Sequence, residues 1–172
     1  DAAAPRDRGE RDNQDQRIHV DYPNHTLVHP TPWHRPEGVE IIIYYDDVET
    51  CAGPTAVVPR LGDNDPAYPW PIVQSPGIGG LDYVNSRGPA EAYLGERAPE
   101  FARFRERHLY PREMLTRFRP GSVLLYRHDT WHRGTPMHPN SLRVVQNITY
   151  RLARSEWYGV IHPGWNWAMY RK

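Results

Sequence analysis

The sequence predicts a mostly β domain with a few short helices packed outside, and three features of the chain predict it. Eighteen prolines and thirteen glycines in 172 residues cut the chain into short segments, which suits strands and turns better than a helical bundle. Six tryptophans and eleven tyrosines fit pleated, half-buried surfaces and pocket walls. Apolar runs of strand length, such as Ile41-Ile42-Ile43 and Val123-Leu124-Leu125, stand beside acidic or glycine turn residues. A chain of this size buries roughly 70% of its unfolded surface in one core, so a single domain is expected.

The elements follow in order. Residues 1–16 carry almost no apolar side chain beyond Ala2, Ala3 and Ala4, and are expected to be a flexible polar tail or linker ahead of a domain at residues 17–172. A strand is expected over residues 17–22, where Ile18 and Val20 alternate with polar residues. Side chains at i and i+2 share a face, so His19 and Asp21 converge. Residues 26–38 read as a loop punctuated by Pro30, Pro32 and Pro36, with Trp33 and His34 placed to lie over a site. A strand through Ile43 carries Tyr44 and Tyr45 on alternate faces. Residues 62–88 form a second long loop, which in a compact domain is either a binding lid or a surface excursion. Pro89 opens a short helix over residues 90–94 and Pro99 a second over residues 100–107, both at positions that tolerate proline. Phe101, Phe104 and His108 share one face of the second helix, while Arg103, Arg105 and Arg107 are expected to be solvated. Residues 121–126 form a strand and residues 127–130 a polar loop. The turn at residues 135–140 leads into a last strand over residues 142–150. Trp157, Trp165, Trp167 and Tyr170 are expected to pack rather than to touch a ligand.

Two imidazoles and one carboxylate, His19, Asp21 and His132, make the ligand set of a non-haem Fe(II) site that keeps coordination positions open. His132 lies in Thr130-Trp131-His132-Arg133-Gly134 and must arrive from a distant strand, with Gly134 allowing a tight turn at a barrel rim. His128 competes for the same role but follows Arg127 in a charged stretch. The other histidines, His25, His29, His34, His108, His138 and His162, fall in proline-rich or mixed polar segments and are expected at the surface or in hydrogen bonds. A His-x-Asp triplet alone is a weak signal among nine histidines and twenty-one acids. The distal Trp-His-x-Gly and Arg143 opening the next strand make it specific. A guanidinium at Arg143 can grip a carboxylate in two parallel hydrogen bonds, which a lysine cannot do. Val145, Asn147 and Thr149 share its face, and Asn147 joins Arg143 as a candidate co-substrate-binding residue.

These residues resemble the phytanoyl-CoA dioxygenase family of Fe(II)/2-oxoglutarate oxygenases. The resemblance is carried by His19-Val20-Asp21; by residues 41–59, which read as strand, Asp46-Asp47, Gly53-Pro54, strand and Pro59; and by residues 121–143. It spans most of residues 17–152. It implies a double-stranded β-helix (jelly roll, cupin-like), with Fe(II) held by His19, Asp21 and His132 and the distal carboxylate of 2-oxoglutarate held by Arg143. It also implies a dioxygenase that uses O2 to hydroxylate a small organic substrate, releasing succinate and CO2. One of Tyr44 and Tyr45 should hydrogen-bond 2-oxoglutarate, and the expectation falls on Tyr45. Related halogenases have a small residue in place of the carboxylate, so an intact Asp21 favours hydroxylation. The chain departs from the family at Pro59-Arg60-Leu61-Gly62, where Gly-Ser-His usually follows the proline; that loop bears on the substrate. Little chain precedes the His-x-Asp strand and there is no initial methionine, so a fragment of a longer protein is expected. Two rival classes remain: a cupin-like metalloenzyme that does not use 2-oxoglutarate, against which Arg143 argues, and a non-catalytic jelly-roll ligand-binding domain, which leaves the metal ligands unexplained.

Composition limits the alternatives. Net charge is zero, which gives no electrostatic case for nucleic acid or a membrane surface as partner. The single cysteine, Cys51, excludes an intrachain disulfide and suits the cytoplasm. No apolar run approaches the ~20 residues of a membrane span. The only lysine is Lys172, which argues against Schiff-base chemistry and a lysine-bearing phosphate loop.

Overall fold

Glu40 interrupts an otherwise apolar strand, and the pairing of that strand decides where its carboxylate points. The computed structural model describes residues 15–21, 34–69 and 86–153. Six strands occur in it: β1 (Gly38–Tyr44), β2 (Thr55–Val57), β3 (Met114–Leu115), β4 (Val123–Arg127), β5 (His132–Gly134) and β6 (Val145–Arg151). They form two small antiparallel sheets, ordered β4-β1-β6 and β3-β2-β5. Residues directly opposite in a ladder share a face. Glu40 therefore lies in one row with Tyr126 and Thr149, Ile42 with Leu124 and Asn147, and Tyr44 with Val145, all on one side of the first sheet. That side turns toward the second sheet, because the Tyr44 and Thr55 hydroxyls meet at 2.8 Å.

The helices are few. Asp47 caps α1 (Val48–Cys51) by accepting from the Glu49 amide at 2.8 Å. A longer pair follows, α2 (Arg87–Arg97) and α3 (Pro99–Phe104), and α3 runs on through a π turn at Arg105–Leu109 and a 3-10 turn at Tyr110–Arg112. No helix among the described residues is long and apolar enough to cross a membrane.

Among the described residues, two apolar clusters form the core. Between the sheets, Ile42, Tyr44, Cys51 and Phe118 pack together, with Phe118 stacked on Tyr44 at 4.1 Å between ring centroids. On the opposite side of the second sheet, Ile18, Val20, Val58, Ala67, Tyr68, Leu109 and Trp131 form the other cluster, with Phe104 and Tyr110 against it. Trp131 is tied in by its indole N–H, which donates to the Ala67 carbonyl at 2.8 Å. Phe104 thus packs outside the second sheet as the sequence suggests, with the His108 ring 5.5 Å from its own.

Several expectations need correction. The segment expected as a strand at residues 17–22 pairs through a single bridge, His19 with His132, in place of a full ladder. Asp15 and Gln16, assigned to the polar tail, are bonded to the domain. Asp15 pairs with Arg87 and Arg133, and Gln16 takes the Gly134 amide on its side-chain oxygen at 2.9 Å. Arg105 is not solvated; it is buried and its Nε donates to Glu91 at 2.8 Å. The helix expected over residues 90–94 begins three residues earlier and ends three later, at Arg87 and Arg97. The expectations for Trp33, for most of the two long loops and for Trp157, Trp165, Trp167 and Tyr170 lie outside the described residues.

At the start of β1, a Cβ added to Gly38 would fall 2.7 Å from His128 Nδ1. That ring is fully buried and donates to the Gly38 carbonyl at 2.9 Å, so it has no room to retreat. A Gly38→Ala variant is expected to lose about 1–3 kcal/mol of stability through overpacking, read as a lowered urea midpoint.

Candidate metal centre

The segment 15–21 runs beside β5, fixed there by main-chain hydrogen bonds, one of them from Gln16 N to Gly134 O at 3.1 Å. His19 N donates to His132 O at 2.9 Å, and His132 N donates to His19 O at 2.8 Å. Strand-like alternation then sends Ile18 and Val20 into the core and His19 and Asp21 to the other side, where His132 also points. His19 Nε2 lies 3.6 Å from Asp21 Oδ1, and His132 Nε2 lies 3.4 Å from Asp21 Oδ2. The two ring centroids are 4.5 Å apart. One ligand atom from each of the three residues falls within 4.8 Å of the others, so the group can hold a metal ion.

The tautomers follow from the backbone. His19 Nδ1 is 3.0 Å from the Arg17 carbonyl, and His132 Nδ1 is 3.0 Å from the Thr130 carbonyl. A carbonyl can only accept, so each Nδ1 carries its proton and each neutral ring presents the Nε2 lone pair to the centre. Metal-binding histidines are oriented by the same kind of outer hydrogen bond. Two imidazole nitrogens and a carboxylate suit a divalent transition metal.

Charge on the three residues is coupled. Burial works against ionisation of Asp21, but hydrogen bonds from His132 and His19 outweigh it and hold the carboxyl well below the usual range. Burial lowers the His19 imidazole. At His132 burial also acts downward, yet Asp21 overcomes it and raises the ring.

Two further residues approach this centre from the first sheet. Tyr126 Oη lies 3.4 Å from Asp21 Oδ2 and 3.5 Å from His132 Nε2. Burial, with Asp21 and Glu40 nearby, raises its phenol well above the ordinary value, so it stays neutral. Glu40, in the same row, is only 5% exposed. Its Oε2 accepts from Thr149 Oγ1 at 2.6 Å, and its Oε1 has no hydrogen-bond partner among the described residues. Burial raises its carboxyl, the Thr149 hydroxyl counters this, and Asp21 adds to the rise. The sequence reading missed both. Its available signal for Glu40 was one acid in phase with Ile42 and Tyr44 on an apolar strand.

The expected co-substrate residues are placed as follows. Arg143, just ahead of β6, is half-buried and donates from Nη1 to the Gly53 carbonyl. Gly53 has a φ of +65° and Met137 fills the space a Cβ would take, so only glycine fits this close approach. Asn147 stands on the inner face opposite Ile42, exposed at the edge strand. Tyr45 is not brought to the site. It is 49% exposed on the outer face, with its hydroxyl donating to Gln146 Oε1 at 2.8 Å. Tyr44 is the tyrosine that faces inward, fully buried with its hydroxyl on Thr55. His128 lies away from the cluster, packed on Gly38.

No protein-family model matches this chain, and no curated protein matches it. The functional reading therefore rests on the geometry of these residues.

Proposed function

We propose that this chain is an Fe(II)/2-oxoglutarate-dependent dioxygenase that hydroxylates a small organic substrate, built as a double-stranded β-helix of the phytanoyl-CoA dioxygenase type. The observation that carries this reading is the His19–Asp21–His132 cluster with both Nδ1 protons committed to backbone carbonyls. Two antiparallel sheets whose inner faces meet at Tyr44 and Thr55 are consistent with the fold.

Arg143 supports the co-substrate. Along β2, Val57 pairs with His132, and Thr55 lies two residues away, roughly 7 Å. Thr55 meets Tyr44, and the neighbouring Gly53 carbonyl receives Arg143. The Tyr44 and Thr55 hydroxyls and the Arg143 guanidinium thus lie along the stretch of chain that leads from β2 away from His132. When bound, iron, 2-oxoglutarate and O2 supply an oxidative decarboxylation that leaves succinate and CO2 and inserts the second oxygen atom into a substrate C–H bond. The residues of this chain hold the rest in place. His19, Asp21 and His132 would hold the ion, Tyr126 donates to Asp21 Oδ2, and Ile42 and Leu124 form the next, apolar row.

Anaerobic addition of Fe(II) and then 2-oxoglutarate is expected to give a visible charge-transfer band that needs both, and that a His19→Ala variant lacks. An Arg143→Ala variant should keep its iron and lose co-substrate affinity by at least about thirtyfold, as for removal of one partner from a hydrogen-bonded charge pair. Unchanged 2-oxoglutarate affinity in that variant would remove the assignment.

A further inference from the structure

We propose that Glu40 selects the substrate of this site, its Oε1 receiving an N–H from a cationic amine, so that the substrate class is a small organic ammonium compound. Hydroxylation of that compound rests on the metal-centre reading; the recognition step does not.

Geometry carries the inference. Glu40 shares its row with Tyr126, whose hydroxyl touches both Asp21 and His132, so its carboxylate stands on the face that looks at the metal ligands, one strand spacing (about 5 Å) from Tyr126. Thr149 occupies Oε2 and leaves Oε1 without a partner among the described residues. A buried acceptor left unmet is costly, and a buried carboxylate more so. No arginine among the described residues pairs with Glu40. On the β6 side of the row, Thr149 and Asn147 are exposed on the same face, while Oε1 itself is buried.

The donor is charged because of what else the interior holds. Asp21 is a second carboxylate on the same side and acts against a charge on Glu40, an effect that His132 partly opposes. A divalent ion together with Arg143 is balanced by Asp21 and a dicarboxylate co-substrate, so no positive charge is left over to neutralise Glu40. A neutral hydroxyl would satisfy one lone pair and leave that repulsion in place. An ammonium satisfies the lone pair, removes the repulsion and makes a charge-assisted bond of about twice the strength.

The test uses metal-free protein labelled with 13C at the glutamate carboxyls, with n-butylammonium as probe and 1-butanol and butyrate as controls. Glu40→Gln assigns the signal; Glu40→Asp, which keeps the charge but retracts it by one methylene, is the second variant should the first not fold. Butylammonium is expected to shift the Glu40 resonance saturably, at least tenfold more tightly than 1-butanol, with butyrate without effect. Ligand-observed affinity should fall at least tenfold in Glu40→Gln. A Glu40 signal that ignores butylammonium, or responds equally to 1-butanol, overturns the proposal. Zn(II) titration of the intact protein is read separately, so failure of the metal centre and failure of ammonium recognition are distinguishable. Zn(II) should still bind in the variants, because Glu40 is not a ligand.

Discussion

A His132→Ala variant is expected to bind Fe(II) or Zn(II) at least about a hundredfold more weakly than the intact protein. Loss of merely the outer partner of a ligating histidine costs roughly 10–100-fold, and this substitution removes the ligand itself. It also strips Asp21 of the 3.4 Å contact to His132 Nε2 and leaves the contacts to His19 at 3.6 Å and to the Tyr126 hydroxyl at 3.4 Å. A competition titration against a chromophoric chelator reads the effect. His128→Ala is the informative control. That ring lies only four residues away in the chain but is spent on Gly38, so its loss should destabilise the fold while metal affinity stays within a few-fold. Equal metal affinity in His132→Ala and intact protein would show that the ion, if bound, sits elsewhere.

The second large effect lies behind the site. Asp65 has a fully buried carboxylate that accepts from Arg112 Nη1 and Nη2, both at 2.7 Å, and from the Leu61 and Ala67 amides at 2.7 and 2.9 Å. Arg112 also donates to the Pro59 carbonyl at 2.7 Å. These bonds lash residues 59–67 under the second sheet, and Ala67 in turn holds the indole of Trp131, the neighbour of His132. Asp65→Ala should cost about 3 kcal/mol, the low end for breaking a buried pair because part of Arg112 reaches solvent. Hydrogen bonding to Arg112 holds the Asp65 carboxyl well below its ordinary value of 3.8, against burial and with help from the two amides. The folded pKa is thus depressed, so this stabilisation is fully present above about pH 4 and is lost as pH falls through the unfolded value toward the folded one. Urea midpoints of intact and variant protein should differ fully at pH 7 and converge in acid. A constant difference down to pH 2 would contradict that account.

How legible the site was in the sequence depended on the range of each interaction. The convergence of His19 with Asp21, and the burial of Ile18 and Val20 behind them, followed from strand alternation over four residues. That His132 joins them depends on a main-chain pairing more than a hundred residues long in sequence, which no local pattern encodes; the resemblance of the Trp-His-x-Gly stretch supplied it. Tyr45 went wrong for a related reason. Ile41, Ile42 and Ile43 are apolar on both faces, so the phase of β1 is invisible until its register against β4 and β6 is known. The same missing register hid Glu40. Arg105 looked like one of three helix-surface arginines because its partner, Glu91, belongs to the preceding helix. Asp65 and Arg112, 47 residues apart, carry no mutual signal in sequence.

The reciprocal amide bonds between His19 and His132 have a mechanical meaning. They make the spacing of two ligands a property of the main chain, so the site arrives preassembled when residues 15–21 zip onto β5. An ion gripped by His19, Asp21 and His132 would rivet residues 15–21 to the sheet. Cation affinity then becomes adhesion of the segment, worth about 2.7 kcal/mol at a hundredfold excess over the dissociation constant. Without the ion, that part of the adhesion is lost and the segment relies on its own packing, hydrogen bonds and ion pairs.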